Sequence, residues 1–185
     1  MIMKFFETAD GSRLHVLPHT EQHLQAHPEA ADLLAEAIGR LSVEPGSTFL
    51  LKEVAMGRTI GQSALVEAPE VGADGTCLFA CRAGRDVPSR VRTDVERPET
   101  DLFTVIAGFN SDEDRWELYT GFAGPSAPKE PTDPSLSSGS SEGELRFWSR
   151  HALVWGEGWE APFEASWSDV LAYARVLRAK QASEQ

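Results

Sequence analysis

Two nine-residue segments, DLFTVIAGF at 101–109 and RWELYTGFA at 115–123, flank the turn-forming NSDED and limit the fold more than any other feature of the chain. Both are rich in β-branched and aromatic residues with partial alternation, which predicts two strands folded back as a hairpin. A second hairpin is predicted at the start, where 3–8 (MKFFET) and 13–17 (RLHVL) enclose Asp10-Gly11, a strong tight-turn signal. Three more strands are predicted in TFLLKEVAM, SALVEA and TCLFACRA.

Helical periodicity appears only outside this strand-rich centre. Residues 20–41 read as helix in two pieces, the first capped by Thr20 and the second opened by Pro28, which suits a helix start. The second piece places Leu33, Leu34, Ala37, Ile38 and Leu41 on one stripe. SWSDVLAYARVLRAK reads as a terminal helix with Ser166 or Ser168 as cap and Val170, Leu171, Ala174 and Leu177 on one face. Helices before and after a run of strands predict an α+β class, with N-terminal helices packed on a mainly antiparallel sheet and a C-terminal helix.

The chain has 185 residues, which suits one domain over 1–185. Within it, 123–143 is rich in Pro, Ser and Gly and reads as a mobile surface loop. No apolar run approaches the ~20 residues that cross a bilayer, and the first residues carry no signal-peptide pattern. A cytoplasmic location and no membrane partner are the expectation. The net charge of −12 argues against coating nucleic acid and suits a basic protein partner. Cys77 and Cys81 are too few to close a zinc site and would lie ~13 Å apart on a strand, too far for a disulfide. They read as buried thiols.

Four places hold side chains with chemical potential. His15, His19, His23 and His27 recur every four residues, but a predicted strand and two prolines interrupt any single helix. A metal site is not expected there, nor any cofactor, whereas His23 or His27 suits general acid–base work. LKEVAMGRTIGQS sets Gly57 and Gly61 beside Lys52, Arg58, Thr59 and Ser63, either a plain connecting turn or a polar anion site. From 82 to 97 the chain carries five arginines, Arg82, Arg85, Arg90, Arg92 and Arg97, a locally positive stretch in an acidic protein. Arginine binds phosphate and carboxylate bidentately, so this is either where an anion would be welcome or a charged surface strand pair with its arginines paired to the many acids. Finally, FWSRHALVW surrounds His151 with apolar residues including Trp148, a setting for a structural histidine or a functional one.

The segments Gly57 to Ser63, Ala80 to Arg85, Gly124 to Pro131 and Phe147 to Val154 resemble those of a family of uncharacterised bacterial proteins. That family shares GRTxGxS, AxRxxR, GPxAPxxP and FWxxHALV patterns and implies no particular activity. The layout also resembles the barnase, colicin and RelE-like ribonucleases: a histidine-bearing helix before an antiparallel sheet with a late Tyr-Thr hairpin. That resemblance implies metal-independent cleavage of RNA. His23 or His27 would act as base or acid, Lys52, Arg82 and Arg85 would stabilise developing charge, and Thr59, Ser63 and Thr120 would bind phosphate oxygens. A non-catalytic immunity-type module for a basic partner and a small-molecule binder with a mouth of Trp and Arg are the other readings carried forward.

Overall fold

The computed structural model describes residues 5–21, 28–133, 136 and 142–183. Where the sequence reads as one domain, the backbone clusters into two compact units. The first comprises Met1–Ser63 and Glu99–Ser126, and the second Ala64–Pro98 and Ala127–Gln185.

The first unit is a five-stranded sheet covered by a helix. Its strands are β1 (Phe5–Glu7), β2 (Arg13–Val16), β3 (Phe49–Ala55), β9 (Leu102–Asn110) and β10 (Arg115–Ala123), in the order β1-β2-β10-β9-β3. Both predicted hairpins form: β1 pairs antiparallel with β2, and β9 with β10. The β9–β10 register slips at Tyr119, between Leu118 and Thr120, as a bulge. A short ribbon of β4 (Gly61–Gln62) and β8 (Glu99–Thr100) completes the unit's strands.

Helix α1 (Pro28–Ile38) begins at the predicted proline and buries Leu34, Ala37 and Ile38 against Val105, Leu118 and Phe103. The approach is close enough that a Cβ on Gly121 would stand 2.6 Å from Leu34 Cδ1, so a side chain there would push Leu34 and Phe103 aside. Thr20 is not a cap. Helical backbone already covers 18–21, the Glu21 N–H donates to Leu17 O, and Thr20 is buried with its hydroxyl donating to Tyr119 O. Pro18, pre-set for a first helical position, moves the start upstream.

The second unit has its own five-stranded sheet, in the order β12-β6-β7-β11-β5. These strands are β5 (Leu65–Glu67), β6 (Thr76–Cys81), β7 (Pro88–Arg92), β11 (His151–Val154) and β12 (Phe163–Ser166). Helix α2 (Glu142–Trp148) precedes β11, and α3 (Trp167–Ser183) ends the unit. Ser166 is the α3 cap: its hydroxyl accepts from the Asp169 N–H while the Asp169 carboxylate accepts from the Ser166 N–H and hydroxyl, a reciprocal capping box. The helix then buries Trp167, Val170 and Ala174, with Trp167 edge-on to Phe79 at 4.9 Å between ring centres.

The α+β class is as expected, and antiparallel pairs predominate, six of the eight in the two five-stranded sheets. β2 runs parallel to β10 and β7 parallel to β11, one parallel pair in each five-stranded sheet. Among the described residues no helix is long and apolar enough to cross a membrane.

Candidate functional site

The second unit contains a cavity of about 340 Å3 lined by Arg82, Arg85, Asp86, Ser89, Glu130, Thr132, Asp133, Arg178 and the apolar Val87, Ala174 and Leu177. Its volume is in the range of small-ligand sites. Three structural features put the charged groups there.

The first is a tight turn after β6. The Arg85 N–H donates to Arg82 O, and Gly84 has φ 78°, a left-handed value that favours glycine. The turn presents two guanidinium groups three residues apart to one space. The Arg82 guanidinium also lies over the Trp159 ring, 5.0 Å from its centre, which holds it by cation–π attraction.

The second is the proline-rich segment. Its described part, 124–133, is fastened to the second unit from Ala127 onward. The buried Trp148 indole N–H donates to Pro128 O and Lys129 O, at 3.1 and 3.2 Å. The buried Thr132 hydroxyl donates to Pro88 O at 3.0 Å. Between these anchors Glu130 has nowhere to go but inward. The remainder of the predicted loop lies largely outside the described residues.

The third is the apolar stripe of α3. Val170, Ala174 and Arg178 succeed one another at i+4, so the stripe that packs the helix ends in a guanidinium at the cavity. Arg178 Nη1 donates to Leu136 O, while its buried Nε has no hydrogen-bond partner among the described residues.

Glu130 is the unusual group. Burial pushes its carboxyl above the usual carboxylate range, opposed by a hydrogen bond from Ser89 and by the Arg82 charge; Asp133 raises it further and Arg85 lowers it. Its Oε2 is buried without a hydrogen-bond partner among the described residues. A carboxyl raised in this way holds a proton more readily than an exposed one, and a protonated carboxyl can donate a hydrogen bond as well as accept one.

The arginines of the cavity differ from the other cations singled out by the sequence. Lys52 is held by Glu44 at 2.7 Å, and Arg58 grips Glu36 through two hydrogen bonds, which hold that carboxyl down at about 2. Arg92 is bound by Asp94. Arg90 is buried and donates to the carbonyls of Trp148, Ser149 and Pro69. Among the described residues Arg82 and Arg85 form no ion pair within 4 Å.

The predicted site residues therefore divide. Lys52, Arg58, Thr59, Ser63 and Thr120 belong to the first unit, with Thr59 and Thr120 exposed and Ser63 buried beside Gly124. Arg82, Arg85, Trp148 and His151 belong to the second. His23 and His27 lie outside the described residues. His151 stacks flat on Phe147 at 3.9 Å and its Nδ1 meets Phe147 O at 2.8 Å, so packing holds the ring; it does not line the cavity. Trp148 acts on the cavity only through the backbone it fastens.

Sequence reasoning missed Ser89, Glu130, Asp133 and Arg178. Only Arg178 had a visible signal, as a cation closing an apolar helix stripe. Among the described residues no three His, Cys, Asp or Glu side chains are grouped to hold a metal ion. Cys77 and Cys81 are free, and burial is the chief cause raising both thiols. Compared with family models, curated proteins and solved structures, the chain has no match. Function is therefore read from the cavity itself.

Proposed function

We propose that the second unit is a receptor for a small organic anion, bound at Arg82 and Arg85 beside Glu130. The observation that carries this reading is that one turn delivers two arginines, unpaired among the described residues, into a cavity of small-ligand size. A guanidinium with no ion pair within 4 Å in a partly enclosed space is a ready bidentate partner for an oxyanion. Two further acids, Asp86 and Asp133, limit how much negative charge the cavity accepts. That limit, with a net charge of −12, weighs against a polyanion such as RNA and favours a ligand with one charged group.

The test is a panel of small carboxylates and phosphates screened by thermal shift against the parent and the Arg82→Ala/Arg85→Ala double variant. A bound ligand at 100 times its Kd adds about 2.7 kcal/mol to the stability of the parent. Stabilisation that vanishes in the double variant is expected. A panel with no binder, or binding unchanged in the variant, refutes the reading. Labelled RNA in EDTA belongs in the same screen: cleavage lost on Arg85→Ala would replace this reading with the ribonuclease-like one.

A further inference from the structure

Resting on the anion reading above, we infer that the ligand is an amphiphilic monocarboxylate whose apolar arm lies in a groove running from the arginine cavity along α3. The groove, also about 340 Å3, is walled by Cys81, Pro88, Phe163, Ala165, Val170 and Tyr173. Phe163 and Tyr173 are 44% and 50% exposed there. An arm laid across them would cover aromatic surface that now faces water.

Two facts join groove and cavity. Asp86 lines both. On α3, Val170 and Tyr173 face the groove while Ala174 and Leu177 face the cavity, and these four positions form one i, i+3, i+4, i+7 stripe. A ligand following that stripe passes from one space into the other inside the same unit.

Charge fixes which end lies where. The groove wall carries Asp86 and Asp169 and no cation, so it repels an anionic head. The cavity sets three arginines against Asp86, Asp133 and Glu130, whose carboxyl burial raises. So near a balance of charge suits one carboxylate and not a doubly charged phosphate. A neutral Glu130 would donate its proton to a carboxylate oxygen as a hydrogen bond, while the guanidinium groups take the other lone pairs.

The experiment titrates acetate, butyrate and octanoate into the full chain, reading tryptophan fluorescence, to which Trp159 beneath Arg82 contributes. Each methylene on an open groove gives about half the full transfer free energy, so octanoate should bind roughly fiftyfold tighter than acetate. Arg85→Ala should weaken all three probes. The Phe163→Ser/Tyr173→Ser double variant alters two exposed side chains; it should bring octanoate down to the butyrate level and leave acetate unchanged. Equal affinity for acetate and octanoate in the parent overturns the amphiphile and leaves the anion receptor standing. Octanoate binding that survives Arg85→Ala also overturns it, since the head would then be held elsewhere. If no probe binds, inorganic phosphate separates the two failures: phosphate binding lost on Arg85→Ala keeps the receptor and removes the carboxylate, and no phosphate binding removes both.

Discussion

Replacing Arg90 by Met should destabilise the second unit by about 3 kcal/mol, although no acid is lost. Arg90 is 3% exposed and its guanidinium donates to three backbone carbonyls, Trp148 O at 3.1 Å, Ser149 O at 2.7 Å and Pro69 O at 2.7 Å. Hydrogen bonds from a charged donor are each worth about 1.5–3 kcal/mol, so three sum to roughly 4.5–9 kcal/mol. Met fills similar space and removes a buried charge whose desolvation costs several kcal/mol. The difference leaves about 3 kcal/mol, from carbonyls stranded at the end of α2 and at Pro69. For a chain of this size that lowers Tm by roughly 6–12 °C. Urea unfolding gives the free energy, and amide exchange locates it: protection should fall first at Ser149 and Arg150, whose N–H groups bond back into α2. Because Trp148 fastens Pro128 and Lys129, affinity at the arginine cavity should fall as well. A variant within about 0.5 kcal/mol of the parent would show that the three bonds carry no net stability, and the reasoning would be wrong.

Two further outcomes follow from the cavity. Glu130 is raised in the folded chain, so its contribution is fully present below the unfolded value of about 4.3 and is lost as pH rises through the folded value. The parent should therefore lose stability relative to Glu130→Gln by about 1.4 kcal/mol for each pH unit across that window, measured by urea midpoints from pH 4 to 9; an opposite slope refutes the assignment. At Gly84, a Cβ would meet nothing within 4 Å, so Gly84→Ala tests backbone conformation alone. It should cost about 1 kcal/mol and weaken anion binding roughly tenfold by re-aiming Arg82 and Arg85, and unchanged titration curves would separate the turn from the site.

The strands that speak loudest in the sequence are those with local turn signals. Asp10-Gly11 and the NSDED turn each join neighbours in the chain, and both hairpins form. The parallel pairs β2–β10 and β7–β11 join segments far apart in the chain with no turn to announce them, so neither was legible. β7, PSRVR, falls in the stretch read as a charged surface strand pair, whereas its Arg90 is buried. The same holds for the site. Arg82 and Arg85 were legible as a local excess of one charge. Glu130 was not: among the chain's 29 acids nothing marks one residue of a proline-rich stretch until Trp148 and Thr132 fix the backbone around it.

The two units are threaded through one another along the chain, with changes of unit after residues 63, 98 and 126. During synthesis, β3 emerges with no neighbour in its sheet until β9 follows, because most of the intervening residues, 64–98, belong to the other unit. The first sheet cannot close before residue 123, and by then β5, β6 and β7 are exposed without β11 and β12, which are still to come. At about 5–20 residues per second, unpaired strand edges of both sheets coexist for several seconds. The order of synthesis thus exposes β3 together with the edges of β5, β6 and β7 before either sheet is complete.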